Sequence, residues 1–155
     1  MTPTLVHIDS FIVTGIKTRT SNDNEMIPAQ AKLPILWGNF INQNIASKIT
    51  NKVKQSPIYG VYTNYASDYR GDFDVIAGVK TTRIIKDDFS SVEINGGNYL
   101  VFEGKGEMPQ IVVNIWLSIW NYFNEPQSVS RLYTTDFEVY GKDSVAIYIA
   151  VEPSY

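Results

Sequence analysis

Residues 58–80 read IYGVYTNYASDYRGDFDVIAGVK, and the architecture can be built outward from them. The first eight and the last eight letters are rich in β-branched and aromatic residues, whereas the middle segment ASDYRGD is polar and contains glycine. This pattern predicts a hairpin whose strands are 58–65 and 73–80. Near the end of the chain, RLYTTDFEVY at 131–140 and VAIYIAV at 145–151 predict a second pair of strands.

A strand and a helix are predicted before the first hairpin. Residues 5–17 (LVHIDSFIVTGIK) predict a strand with a bend in it. Apolar residues then recur at helical spacing and predict an amphipathic helix over 29–46. Pro34 lies in the first turn of this helix or kinks it. The first half of the chain is therefore a predicted β-α-β-β unit.

The same order of elements recurs in the second half. Residues 91–94 and 98–106 predict strands, and Pro109 opens a strongly apolar helix that ends at about Phe123. The second hairpin follows this helix. The chain thus predicts two β-α-β-β units in succession.

An overlay of the two units supports an internal duplication. Residues 11–17 can be laid over 99–105, residues 73–79 over 145–151, and Trp37 over Trp116. Two such halves, related by pseudo-twofold symmetry, predict an α+β fold with one antiparallel sheet and two helices on one of its faces.

The duplication also predicts the domain organisation. The chain is expected to form a single domain over residues 1–155, with pseudo-repeats at about 4–83 and 91–152. A groove between the two helices would be a natural place for a ligand.

The composition excludes several classes of function. The 155 residues are 44% hydrophobic and 19% charged, with a net charge of −3, no cysteine and one histidine. Thiol nucleophiles, disulfides and Cys/His zinc sites are excluded, and we predict no metal, no cofactor and no catalytic residue. The absence of a basic cluster argues against direct nucleic-acid binding. The sequence contains neither a membrane-length apolar run nor a signal segment, which predicts a cytoplasmic protein.

Several motifs in order along the chain resemble those of the GyrI-like, or AraC-type, effector-binding domain, and in particular the free-standing, integron-associated effector-binding proteins. The motifs are LW at 36–37, YGVYTNY at 59–65, GDFDVIAGV at 71–79, YLVFEGKG at 99–106, DFEVY at 136–140 and VAIYIAV at 145–151, together with Trp116 and Trp120. The resemblance implies an aromatic cleft that holds hydrophobic, often cationic ligands against a buried carboxylate. It implies no enzyme activity in most members, although some relatives resemble hydrolases of reactive small rings. Because nothing before Leu5 could form a helix-turn-helix, the sequence predicts a sensor without a DNA-binding module.

Two glutamates are candidates for the buried carboxylate. Glu138 lies among the aromatic residues of DFEVY, and the family motif favours placing it in the cleft, where it would pair with a cation. Strand alternation alone would also allow it on the solvent face. Glu103 occurs in the second half only, since Gly15 overlies it. It is either a second site residue or a solvated residue near Lys105.

Aromatic residues are the remaining candidates for the site. Trp37 and Trp116 could clamp a flat or cationic ligand from the two helices, or could anchor the helices in the core. Trp120 and Phe123 are assigned to the core. Further rings that could line the cleft are Tyr62, Tyr65, Tyr133, Phe137 and Tyr148. The alternation in 145–151 places Tyr148 opposite the β-branched residues but does not show which face the helices cover.

The sequence favours binding of a small molecule, hydrophobic or cationic, with Glu138 as its counter-charge. One alternative is a hydrolase in which Glu103 or Glu138 activates water and a tyrosine assists the leaving group. The other alternative is a protein-interaction or inhibitor module, whose partner would be a regulator protein. The residues carry no signal for the oligomeric state.

Overall fold

A computed structural model of the chain describes residues 1–153, which form nine strands and four helices. The elements, in chain order, are β1 (Thr4–Ile8), β2 (Phe11–Ser21), α1 (Asn22–Glu25), α2 (Leu33–Asn42), α3 (Ile45–Lys48), β3 (Ile58–Thr63), β4 (Asp72–Thr81), β5 (Ser90–Ile94), β6 (Gly97–Lys105), α4 (Gln110–Asn124), β7 (Val129–Arg131), β8 (Thr135–Tyr140) and β9 (Ser144–Pro153). Within these described residues, no helix combines the length and the apolar character that a membrane crossing requires.

The strands form one antiparallel sheet in the order β1-β6-β9-β8-β3-β4-β2-β5, and β7 pairs with the end of β9. This order is symmetric when the two halves are exchanged. β3 and β8 meet at the centre, β4 and β9 flank them, β2 and β6 follow, and β5 and β1 lie at the two edges. Helix α2 packs on β2 and β4, and α4 packs on β6 and β9. The predicted α+β fold is therefore confirmed.

The strand predicted over 5–17 is two strands that pair at opposite ends of the sheet. β1 pairs with β6 of the second half, whereas β2 pairs with β4 and β5. Each half thus lends its first strand to the other half. Alternation along the sequence identifies a strand but carries no information about its partner, so the prediction missed this exchange.

Two other predicted elements are divided by residues with left-handed backbone conformation. The helix predicted over 29–46 is α2 followed by α3, because Asn44 has φ = 51°. Pro34 lies in the first turn of α2, as predicted. The strand predicted over 131–140 is β7 followed by β8, and Tyr133, between them, has φ = 55°. These single residues redirect the chain without interrupting the hydrophobic pattern.

The overlay of the two halves is correct in topology but wrong in register. Gly15 lies opposite Gly78 in the β2–β4 ladder. The overlay places Glu103 over Gly15 and Ala150 over Gly78, so it requires Glu103 to lie opposite Ala150. In the β6–β9 ladder, Glu103 instead lies opposite Ala146. The two ladders therefore differ by four residues. A Cβ on Gly15 would lie 1.8 Å from the Ala77 carbonyl oxygen, so β2 and β4 approach too closely there for any side chain.

The helices cover the face that carries the β-branched residues of β9. Val145, Ile147, Ile149 and Val151 are buried beneath α4 together with Phe102. The matching cluster beneath α2 contains Phe73, Val75, Ala77 and Val79 of β4. The opposite face of the sheet has its own buried cluster, which includes Val13, Tyr59, Val61, Tyr99 and Phe137. Consecutive residues along one strand therefore pack into different cores, one on each face of the sheet.

Candidate functional site

The Glu138 carboxylate is buried beneath the helices and is held by three neutral donors. Glu138 is 1% exposed. Tyr62 Oη and Trp116 Nε1 donate to its Oε2 atom, at 3.0 and 2.8 Å, and Tyr140 Oη donates to Oε1 at 2.7 Å. Among residues 1–153, no lysine, arginine or amino terminus lies within ion-pair distance of it. The carboxylate is therefore hydrogen-bonded but has no counter-charge.

Three elements bring these groups together. Alternation on β8 turns Asp136, Glu138 and Tyr140 toward the helices, and Gly60 of β3 lies directly opposite Glu138. Trp116 reaches the carboxylate from α4, on which the neighbouring Ile115 and Ile119 are fully buried. The sheet thus supplies the acid and two tyrosines, and the helix supplies the indole.

Burial raises the pKa values of Glu138 and of Tyr62, one of its hydrogen-bond donors. Desolvation raises the pKa of Glu138 above its usual value, and the hydrogen bonds from Trp116, Tyr140 and Tyr62 oppose this rise. Desolvation and the nearby carboxylate also raise the pKa of Tyr62 well above its ordinary range. The phenols therefore stay protonated and remain hydrogen-bond donors at neutral pH.

A second buried carboxylate, Asp136, lies on the same strand face and has the counter-charge that Glu138 lacks. Arg131 Nη2 donates to Asp136 Oδ2 at 2.8 Å, and the side chains of Arg131 and Asp136 are 6% and 0% exposed. Tyr65 Oη donates to the same oxygen at 2.6 Å, and the Ala150 amide donates to Oδ1 at 2.9 Å. The protein thus neutralises one of two neighbouring buried acids.

A cavity of about 230 Å³ lies beside Glu138, between the start of α2, strands β3 and β4, and helix α4. Tyr62 and Trp116 form part of its wall, so they stand between the cavity and the carboxylate. Trp120 lines the cavity and is 37% exposed, which corrects its assignment to the core. The complete lining is Asn22, Glu25, Leu33, Tyr62, Tyr65, Tyr69, Phe73, Val112, Val113, Trp116, Trp120 and Arg131.

The two charged residues of the cavity wall, Glu25 and Arg131, were not predicted. Glu25 accepts hydrogen bonds from the Thr20 hydroxyl at 2.6 Å and from the amides of Lys32 and Leu33 at 2.9 and 3.1 Å, and so it holds the start of α2. Its only signal in the sequence is an acid in a polar segment before the helix.

In the described part of the chain, no three acidic or histidine side chains lie close enough to bind a metal ion.

The structure groups five of the predicted aromatic residues around the two acids. Trp116 and Tyr62 contact Glu138, and their rings lie 5.2 Å apart. Trp37 packs on Tyr140 with ring centroids 5.3 Å apart, on the α2 side of the same carboxylate. Tyr65 and Tyr133 lie near Asp136, and the Arg131 guanidinium is 4.4 Å from the centroid of the Tyr133 ring.

Three predicted site residues lie on the opposite face of the sheet. Phe137 and Tyr148 stack on one another there, with ring centroids 4.5 Å apart and planes inclined by 10°. Glu103 is exposed and alternates with Leu100 and Phe102, which face α4. The reason is the period of two along a strand, because a residue next to an inward-facing one points away from the helices. These three residues therefore lie outside the group of side chains around Glu138, which consists of Tyr62, Trp116 and Tyr140.

Gly60 creates the space in which Glu138 and Trp37 meet. A Cβ at this position would lie 2.5 Å from Glu138 Oε1 and 3.0 Å from Trp37 Cζ2. We expect Gly60→Ala to displace the carboxyl group and to lower the free energy of unfolding by about 1–3 kcal/mol. Urea unfolding followed by tryptophan fluorescence measures this loss. Gly38→Ala on α2, where a Cβ meets open space, is the matched control and should not destabilise the protein. Equal stability of the two variants would contradict this packing argument.

Comparison with known proteins agrees with the fold and with the motifs. Residues 4–151 match the sequence profile of the integron-associated effector binding proteins. An integron cassette protein from the mobile metagenome of Vibrio cholerae is 42% identical, with a TM-score of 0.85, and the match covers 97% of this chain and 96% of that one.

Two further relatives are more distant. YobU of Bacillus subtilis, which is named as a candidate transcriptional regulator, is 25% identical over 158 residues, covering 96% of each chain. The protein SAV2435, solved bound to tetraphenylphosphonium, shares the fold at 19% identity with a TM-score of 0.78, and the match covers 98% of this chain and 94% of that one. The resemblance noted in the sequence is confirmed, and this small-molecule-binding chain belongs to the family of integron-associated effector binding proteins.

Proposed function

We propose that the protein binds hydrophobic cations in the cavity beside Glu138, with the Glu138 carboxylate as the counter-charge. The observation that carries the proposal is a fully buried carboxylate with three neutral donors and no cation among residues 1–153. A buried charge is costly unless it is paired. A cationic ligand in the cavity would place a positive charge near Glu138, on the other side of the Tyr62 and Trp116 side chains, whereas Asp136 has the positive charge of Arg131 in direct contact.

The wall of the cavity suits the rest of such a ligand. Leu33, Phe73, Val112 and Val113 offer apolar contact area, and the rings of Tyr62, Trp116 and Trp120 are available to a cation. A cation against an aromatic ring contributes about 0.5–2 kcal/mol, more where water is excluded. Glu25 places a negative charge in the wall itself, in addition to Glu138 behind the wall, and its three hydrogen bonds also come from neutral donors.

Titration with a pair of ions that differ in the sign of their charge tests the proposal. Tetraphenylphosphonium is a suitable cation because SAV2435, which has the same fold, was solved with it. Tetraphenylborate has the same shape and the opposite charge. We expect quenching of tryptophan fluorescence by micromolar tetraphenylphosphonium and binding of tetraphenylborate at least about 100-fold weaker. Similar affinities for the two ions would refute the role of charge.

Cation binding should depend on pH, because it requires the ionised form of Glu138. The pKa of this group is raised in the free protein, and a bound cation would lower it. Affinity for tetraphenylphosphonium should therefore be greatest above the raised pKa and fall by up to about tenfold per pH unit below it. Titration between pH 5 and pH 8 measures the profile. If Glu138→Gln shows the same slope as the wild type, another group is responsible.

The hydrolase alternative is less well supported by the geometry. Both Glu138 oxygens already accept hydrogen bonds, and the carboxylate lies behind Tyr62 and Trp116 rather than in the cavity wall. Turnover of an ester or strained-ring substrate, lost in Glu138→Gln, would favour hydrolysis over binding alone. The cytoplasmic location and the partner regulator stay predictions from the sequence.

A further inference from the structure

Exposed cations from two segments of the chain form one basic surface at the end of β4. The segments are 48–54 and 82–86, and neither contains an acidic residue. The cations that define the basic surface are Lys48, Lys52, Lys54, Arg83 and Lys86. Among residues 1–153, no carboxylate lies within ion-pair distance of any of them. Their charges are therefore available to an anionic partner.

Tertiary contacts bring the two segments together. The backbone of Lys52 forms an antiparallel bridge with Thr81, and the side-chain amide of Asn51 donates to the carbonyl oxygen of Arg83 at 2.7 Å. In the chain the segments are separated by β3 and β4. The sequence therefore contains no continuous basic run, and this surface was not predicted.

A groove with apolar residues adjoins the basic surface. It is lined by residues 84–89 and 91, and its apolar members are Ile84, Ile85 and Phe89. Ile84 follows Arg83 directly and is 57% exposed. An apolar centre with a charged rim is the usual composition of a contact between two proteins. The surface thus offers both charge and apolar area to a partner.

We propose that the basic surface binds an acidic peptide segment of a partner protein, one that also carries an apolar side chain for the groove. The proposal rests on charge complementarity, since the cations have no partner within the described chain. It goes beyond the proposed function, because none of the residues of the basic surface lines the cavity beside Glu138.

The charge on the rest of the molecule favours a short acidic segment over nucleic acid. Because the whole chain carries −3 and the basic surface carries +5, the remainder carries −8. Exposed charges act over about 8 Å at physiological ionic strength, so a short segment is attracted by the cations it touches. A long polyanion would extend beyond them, over Asp87, Asp88 and the acidic remainder, and would be repelled there.

Fluorescence anisotropy with three labelled peptides of equal length tests the inference. The first peptide is rich in glutamate and has a central pair of leucines, the second has serines in place of the leucines, and the third has lysines in place of the glutamates. At low ionic strength, the wild-type protein should bind the first peptide with micromolar affinity and at least about tenfold more tightly than either of the others. Equal binding of the first and third peptides would overturn the role of charge, and equal binding of the first and second would overturn the role of the groove.

A variant with two substitutions, Lys52→Gln and Arg83→Gln, locates the contact. It should bind the first peptide about three- to tenfold more weakly than the wild type does. The fold should be preserved, because the contacts of Lys52 and Arg83 that join the segments use their backbone, and urea unfolding checks this. Lys105→Gln with Lys142→Gln is the matched control, since it removes the same charge from exposed positions elsewhere and should leave the affinity unchanged.

Two further results would contradict the inference. Equal weakening in the two double variants would show that the overall charge, and not the basic surface, controls peptide binding. Tighter binding of a DNA duplex than of the first peptide, lost with Lys52→Gln and Arg83→Gln, would assign the surface to nucleic acid instead. Each readout is independent of tetraphenylphosphonium binding, so failure of this inference leaves the proposed function standing.

Discussion

Replacement of Glu138 by glutamine is expected to weaken tetraphenylphosphonium binding by about 10- to 100-fold. Tetraphenylphosphonium has no hydrogen-bond donor, so its interaction with Glu138 is purely electrostatic. Two unit charges about 6–10 Å apart at an effective dielectric constant of about 20 interact by roughly 1.5–3 kcal/mol, which corresponds to such a change in the dissociation constant. Isothermal titration calorimetry at pH 7.5 measures it directly. The apolar contacts of the ligand with Phe73, Val112 and Trp116 would be retained, so binding should be weakened rather than abolished.

The fold should tolerate this substitution. Glutamine can accept from Tyr62 and Trp116 through its oxygen and can donate to Tyr140 through its amide nitrogen, so each partner keeps a hydrogen bond. Because the pKa of Glu138 is raised above 4.5, the stability that its titration contributes is present below that value and is lost as the pH rises through the folded-state pKa. The glutamine variant should therefore gain stability relative to the wild type as the pH rises above 4.5, as measured by urea unfolding at a series of pH values.

Glu103→Gln is the matched control for both measurements. It makes the same chemical change on the opposite face of the sheet, where Glu103 is exposed. Ligand affinity should not change in this variant. If the two glutamine variants bind tetraphenylphosphonium equally well, Glu138 is not the counter-charge.

Replacement of Asp136 by asparagine is expected to lower the free energy of unfolding by about 3–5 kcal/mol. It would leave the guanidinium of Arg131 buried without a counter-charge, and breaking one partner of a buried ion pair has this order of cost. Asparagine would also offer only one acceptor oxygen, whereas Asp136 accepts from Arg131, Tyr65 and the Ala150 amide. Urea unfolding of wild type and variant at the same pH measures the difference.

The exposed ion pair between Asp68 and Arg70 is the control for this stability measurement. Its contact distance is 2.6 Å, shorter than the 2.8 Å of the buried pair, but its side chains are 26% and 73% exposed. The Arg70 guanidinium lowers the pKa of Asp68 to about 2. Asp68→Asn should nevertheless change stability very little, because water screens the pair and solvates either partner alone. Comparable losses in the two asparagine variants would show that burial does not control the contribution of Asp136.

Local sequence patterns predicted most of the elements, but not their partners. The hairpins, the helix that begins near Pro109 and the strand at 91–94 were recognisable because each has a hydrophobic period and a clear boundary. The division of 5–17 into two strands was not recognisable, and neither was the exchange of β1 and β5 between the halves. The choice of a strand's partner depends on residues far away in the chain. The four-residue register difference has the same cause.

In the candidate site too, the residues with a local sequence signal were predicted, and those whose role depends on tertiary contacts were not. Glu138 was identifiable as an acid within an aromatic strand, and Tyr62 and Trp116 as aromatic residues on neighbouring elements. Arg131 gave no signal, because its role depends on Asp136, five residues away and across the turn at Tyr133. Glu25 was hidden in a polar segment that the fold brings to the start of α2.

The sequence by itself determined the fold class and the family, and it identified Glu138, Tyr62 and Trp116 as candidates for the site, because hydrophobic period and residue chemistry are local properties. The tertiary structure alone decided which face of the sheet the helices cover. That choice separated Glu138 from Phe137 and Tyr148, neighbours in sequence or in the sheet, and placed Glu103 outside the cluster. Only the tertiary structure showed that, within residues 1–153, Asp136 is paired with a cation and Glu138 is not, because the pairing of buried charges is set by long-range contacts.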